Sequence, residues 1–282
     1  MGAGNASEAI LVAQDGSRAA KATADVAIFI AKSLALSIQG LYVVDEPLIM
    51  DTYARHRREL GISEKSLSRA ELVSRSEFQG LEAMEWLKIR SQGAVVPVAV
   101  KMLAGGVPQL VLREAASSRM LAMGRRGHGH SEDIDHLGRN FRTIAHHIHK
   151  PLLSAGDGIS DLKRVLLAYN AEEHAQHALR FASEIQHHLP ECLVVLYVDE
   201  GAEDPTQSTA EIKAGLTRQG LANYCFIYRK GEPAAEILAA ATENEVDLIV
   251  LGSYRHSLLL EWVVGSTLDR VLRGTQLPVL FA

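Results

Sequence analysis

Cysteine is nearly absent: the 282-residue chain has two, Cys192 and Cys225, each in an apolar, strand-like run. That excludes a disulfide framework and a cysteine metal site, and both thiols are expected buried and reduced. An excess of basic residues is also missing. Lysine and arginine total 29 against 34 aspartates and glutamates, a net charge of −5, which argues against a general partner of nucleic acid or anionic membrane. No apolar run approaches the ~20 residues of a membrane span. The first residues, Met1-Gly2-Ala3-Gly4-Asn5-Ala6-Ser7, hold no basic region and no apolar stretch, so no secretory signal is expected. A myristoylation start is not expected either, since Ser7 sits one place off that pattern. A cytoplasmic location follows as the expectation. The chain has no Gly-x-x-x-x-Gly-Lys-[Ser/Thr] loop and no Gly-x-Ser-x-Gly elbow.

What is present begins with core-forming capacity. Apolar residues make up 47% and charged residues 22%, enough for ordinary cores, and the length fits two domains. The most informative stretch is Leu248-Ile249-Val250-Leu251-Gly252-Ser253-Tyr254-Arg255, followed by a polar loop to Gly265-Ser266-Thr267. A strand-length run ends at a glycine, and a glycine and two hydroxyls then open a helical pattern. Ligands of open α/β sheets bind at the carboxyl ends of the strands. A helix start there offers free N–H groups and a positive dipole end to a phosphate. Ser266 and Thr267 suit capping and phosphate contacts alike. Taken alone, the stretch also fits a plainly capped helix after an ordinary loop.

It occurs twice. Met120-Leu121-Ala122-Met123-Gly124-Arg125-Arg126-Gly127 leads through a His-rich loop to Gly138-Arg139-Asn140. Pro151 lies thirteen residues after Gly138, and Pro278 thirteen after Gly265. Ile10–Asp15 is echoed by Val165–Asn170, and Leu41–Glu46 by Leu196–Glu200. Four landmarks in one order imply a tandem duplication, with one copy over 1–156, a Gly156-Asp157-Gly158 linker, and another copy over 160–282. The first copy carries an addition at about 46–75, read as an exposed helix or a loop over the site, with a solvated charged face preferred to a lid. Alternating strands and helices predict an α/β fold with a parallel, doubly wound sheet in each copy. Right-handed crossovers bring Asp15, Gly124 and Gly138 to one crevice, and Asn170, Gly252 and Gly265 to another.

On these residues the chain resembles a tandem universal stress protein, nearly end to end. The family's phosphate motif is Gly, two residues, Gly, nine residues, then Gly with Ser or Thr. ATP-binding members add an Asp after the first strand and a Val at the end of the second. The resemblance implies two Rossmann-like, adenine-nucleotide alpha hydrolase-like domains of five parallel strands. They are expected to pack as a pseudo-two-fold pair through Pro151–Ser154 and Pro278–Phe281. It also implies an adenine nucleotide (ATP, or ADP or AMP, with or without Mg²⁺) in at least one copy. The first copy supplies Asp15, Val43, Gly124, Gly127 and Gly138; the second supplies Val198, Gly252, Gly265, Ser266 and Thr267. Both depart from the pattern. Ten residues separate Gly127 from Gly138, and Arg139 stands where a hydroxyl is expected, with Asn140 still able to donate. In the second copy Asn170 replaces the Asp, and Arg255 replaces the second Gly, either to pair with a phosphate or to fill its pocket.

Three function classes follow from the resemblance: a nucleotide-binding regulator of stress response acting with an unknown protein partner, an interaction protein whose pockets Arg139 and Arg255 have filled, or a slow ATPase. A further homodimer stays open. The histidines His128, His130, His136, His146, His147 and His149 gather near the first crevice, and ordinary surface histidines are preferred to a metal site.

Overall fold

The structure, a computed structural model, describes residues 8–59, 68–127, 137–156, 162–170, 175–189, 191, 193–201, 205–221, 223–252 and 266–282. The first half runs β1 (Ala9–Ala13), α1 (Arg18–Ser33), β2 (Ser37–Asp45), α2 (Glu46–Glu59), α3 (Arg69–Gly93), β3 (Val98–Gly105), α4 (Val107–Ala115), β4 (Met120–Met123), α5 (Arg139–His147) and β5 (Leu152–Ser154). The second half runs β6 (Val165–Ala168), α6 (Ala175–Ile185), β7 (Leu193–Asp199), α7 (Pro205–Arg218), β8 (Tyr224–Lys230), α8 (Pro233–Glu243), β9 (Leu248–Leu251), α9 (Thr267–Gly274) and β10 (Val279–Phe281). A 3-10 turn, Gln186–His188, follows α6.

Local chemistry sets many of these ends. Ser17 opens α1 by accepting the Ala20 N–H at 3.2 Å, and Pro108 stands in the first turn of α4. Ser68 and Glu71 form a reciprocal capping box at the start of α3. The central strands β1, β4, β6 and β9 are buried along nearly their whole length, as parallel strands covered on both faces must be.

All ten strands form one sheet, in the order β3-β2-β1-β4-β5-β10-β9-β6-β7-β8. Pairing is parallel within each half and antiparallel only between β5 and β10. There Leu153 faces Leu280, Ser154 faces Val279 and Leu152 faces Phe281. Leu153 and Leu280 are equivalent positions of the two copies, so the register is that of a pseudo-two-fold axis, as in a symmetric dimer. Helices α1, α3, α6 and α7 cover one face of the sheet, and α4, α5, α8 and α9 cover the other. The switch of face between α1 and α5 opens a crevice between β1 and β4, where a doubly wound sheet takes ligands.

One expectation is corrected. Cys225 is exposed, because β8 is the outer strand of the sheet and Cys225 and Tyr228 stand on its uncovered positions; Cys192 lies outside the described residues.

Candidate functional site

The first crevice is built from three returns of the chain. At the end of β1, the Asp15 carboxylate accepts the Ser17 N–H at 2.9 Å, a turn that also starts α1. At the end of β4, the loop Gly124–Gly127 folds back over that start: the Ser17 hydroxyl donates to the Arg126 carbonyl at 3.3 Å. At the start of α5, the Gly138 N–H donates to the Arg125 carbonyl at 2.8 Å.

Proximity requires glycine at 124 and favours it at 127. A β-carbon on Gly124 would lie 2.7 Å from the Ala20 nitrogen and 3.0 Å from the Ala19 carbonyl carbon. One on Gly127 would lie 3.1 Å from Asp15 Oδ2. Asp15, Gly124, Gly127 and Gly138 are therefore brought together as the repeat pattern requires. Val43, half-buried near the end of β2, packs against the core beneath.

The helix starts of the two copies differ in electrostatics. Gly138 caps α5 with no side-chain hydrogen bond, and no acidic residue stands in the first turn. Arg139 is exposed there and Asn140 is half-buried. In α9, Ser266 spends its hydroxyl on the Asp269 N–H at 3.2 Å. Asp269, 2% exposed, places a carboxylate in the first turn and pairs with Arg273 at 3.0 Å. A carboxylate at a helix start favours the fold but repels an anion arriving there.

In the second copy, Val198 is half-buried near the end of β7, Asn170 is exposed after β6, and Gly252 and Thr267 are half-buried. Arg255 and Gly265 lie outside the described residues. Among the histidines, His128, His130 and His136 also lie outside. His146 and His147 stack edge to face at 4.6 Å, and the His147 Nδ1 lies 2.8 Å from the Thr143 carbonyl oxygen.

A residue to which the sequence reading gave no role dominates this region. Arg125 is 2% exposed, and its guanidinium points away from the crevice into the other half of the chain. It donates to the carbonyls of Leu272 (2.6 Å), Thr275 (2.9 Å) and Leu277 (2.6 Å), and to that of Ser154 (3.1 Å). Arg126 beside it donates to the Gln276 side-chain oxygen. Burial first, then the charge of Arg126, push the Arg125 pKa down to about 9. That is still far above neutral, so the group remains a cation. Two of these carbonyls, Leu272 and Thr275, stand at the C-terminal end of α9, where a helix leaves acceptors without internal partners and carries the negative end of its dipole. The only sequence signal was a pair of arginines between two motif glycines, and nothing in their spacing says that they cross to the other copy.

The sequence profile described as the Universal stress protein family matches residues 7–154 and again 161–282. A universal stress protein of Synechocystis sp. is 26% identical over 286 aligned positions, spanning 96% of this chain and 98% of that protein. Among solved structures, a universal stress protein from Archaeoglobus fulgidus superposes with a TM-score of 0.74 at 19% identity, covering 97% of this chain and 95% of that one. A Pseudomonas aeruginosa protein described as a putative universal stress protein superposes at 0.62 with 13% identity, covering 98% and 93%. The two structural likenesses speak for the fold.

Proposed function

The chain belongs to the universal stress protein family, and on that premise we propose that it binds one adenine nucleotide in the crevice of its first half. ATP is the leading ligand, with Mg²⁺ accompanying the triphosphate, and ADP or AMP the alternatives. The protein then acts in stress response, in the cytoplasm, as a regulator whose partners read its occupancy, rather than as a fast enzyme.

One observation carries this reading. The Asp15 carboxylate, which the family pattern assigns to the nucleoside, stands 3.1 Å from where a side chain on Gly127 would begin. This adjacency of the nucleoside and phosphate ends of the pattern supports a single site, and glycine at 127 avoids crowding that carboxylate. Beside it, the start of α5 has backbone donors that no side chain of its own caps, with Arg139 at its first position. The second crevice differs. Asn170 has no charge, and Ser266 and Asp269 occupy the helix start themselves. We assign it no nucleotide, which makes it the half in which the interaction-protein alternative applies.

The direct test is calorimetric titration of the purified chain with ATP and Mg²⁺. One equivalent is expected. Asp15→Ala should weaken binding about tenfold or more, the effect of losing a hydrogen bond to a charged group, and Arg139→Glu should weaken it too. Ser266→Ala should leave it unchanged. An absence of binding heat, or full affinity in Asp15→Ala, would sink the assignment. Turnover of ATP that falls in Asp15→Ala would instead favour the slow ATPase.

A further inference from the structure

The loop Gly124–Gly127 has two sides. Its backbone and glycines border the first crevice, and its two arginine side chains leave that crevice to hold the second half of the chain. Arg125 meets four carbonyls, two of them at the end of α9, Leu272 and Thr275. Arg126 meets Gln276. The Gly156 N–H donates to the Gln276 carbonyl at 3.1 Å, closing the same knot from the end of β5. Among the described residues no carboxylate pairs with Arg125, so its buried charge is compensated by carbonyls, two of them at the end of α9.

Helix α9 is eight residues long, about 12 Å at the usual rise. One end is gripped by the loop of the first crevice. The other end carries Ser266 and Thr267, the start that faces the second crevice. Its middle is locked by Asp269–Arg273, and Arg270 pairs with Glu232, the cap of α8, at 2.9 Å. A change in the order of Gly124–Gly127 therefore has a short, packed route into the second half of the chain.

We propose that Arg125 couples the two halves: a nucleotide seated on the Gly124–Gly127 loop steadies the guanidinium in its carbonyl nest and so orders the C-terminal end of α9 and the turn 275–277. This rests on nucleotide binding in the first crevice. Coupling of this kind is reciprocal. Whatever loosens the nest should weaken nucleotide binding by the same factor that the nucleotide strengthens the nest. It needs no large displacement, since ordering alone carries free energy between sites.

The test is hydrogen exchange of the full chain, read by peptides over 266–277, with and without saturating ATP and Mg²⁺, on samples whose occupancy is measured by calorimetry. In the unmodified chain ATP should slow exchange in 271–277 about fivefold or more. In Arg125→Lys the lysine cannot span four carbonyls, so the ATP-dependent slowing should vanish, and ATP affinity should fall by a matching factor. A merely structural arginine would raise exchange equally with and without ATP. Gln276→Ala removes only the Arg126 contact and should reduce the ATP-dependent slowing even if Arg125→Lys fails to fold. Bound ATP with unchanged exchange in 271–277 overturns the coupling while leaving the nucleotide site standing. Undiminished ATP-dependent slowing in a folded Arg125→Lys, or in Gln276→Ala where Arg125→Lys does not fold, overturns it as well. No binding heat in the unmodified chain removes the nucleotide reading and the coupling together.

Discussion

Arg125 shows how a single residue can be decided by its surroundings rather than by its motif. A guanidinium carries its donors in a planar fork, and here that fork satisfies four carbonyls at the junction of the halves. Arg125→Met would keep most of the volume and strand those acceptors. The expected loss is roughly 3 kcal/mol, a fall in melting temperature of roughly 5 °C for a cooperative chain of this size. A thermal melt within a degree of the unmodified protein would show that water replaces the guanidinium at little cost. The tyrosines make a separate residue-scale prediction. Burial is the main cause that raises the pKa of Tyr42 and of Tyr169, against the opposing hydrogen bonds with Ser76 and Gln176. Their folded values therefore exceed the unfolded value of about 10. The stability they contribute is whole below that pH and is lost as pH rises through the higher folded values. Phenolate absorbance should show Tyr42 and Tyr169 lagging the main step, together with Tyr228, which its hydrogen bond to Asp199 raises, and ionisation of Tyr42 and Tyr169 with the main step would contradict the burial. At this scale the sequence disclosed Asp15 and the glycines, whose roles follow from their own chemistry. It did not disclose Arg125, three of whose four carbonyl partners stand 147 to 152 positions away in the chain.

Among the elements, helix ends carry the information. The capping box at Ser68 and Glu71 and the hydroxyl caps at Ser17 and Ser266 depend on neighbours within three residues, so such starts are visible in sequence. The far end of α3 holds an anomaly. Val95 has φ of 62°, and its N–H reaches the Gln92 carbonyl at 2.9 Å while the Val96 N–H reaches Ser91 at 2.9 Å. This is the left-handed helix stop that glycine prefers, occupied by a β-branched side chain that is 85% exposed. Val95→Gly should therefore stabilise the protein by about 1 kcal/mol, read as a higher denaturant midpoint at constant slope. A lower midpoint would mean that the valine gains more from contacts of its own than it costs in strain. Length and burial of the inner strands were likewise legible, because strands covered on both faces are apolar throughout. The exposure of Cys225 was not. An outer strand and an inner one can share a composition, and only strand order separates them.

Across the whole molecule, one sheet passes through both halves, and each of its two core layers contains residues from both. The halves should then unfold together. Calorimetry is expected to give a single transition with calorimetric and van't Hoff enthalpies in agreement; two resolved transitions would show that the β5–β10 junction is weak. The duplicated order of strands, the glycine pattern and the matching prolines were enough to determine by themselves an α/β fold in two copies, the family it resembles and a crevice at Asp15 in the first of them. Each of these rests on local periodicity or on spacing within one copy, which the chain displays directly. Only the tertiary structure decided that the copies join antiparallel about Leu153 and Leu280, that Arg139 stands in solvent, and that Arg125 turns from its own loop to hold the end of α9. Those outcomes depend on which groups a buried charge or an uncovered strand edge meets across the pseudo-two-fold axis, and desolvation makes that choice in three dimensions.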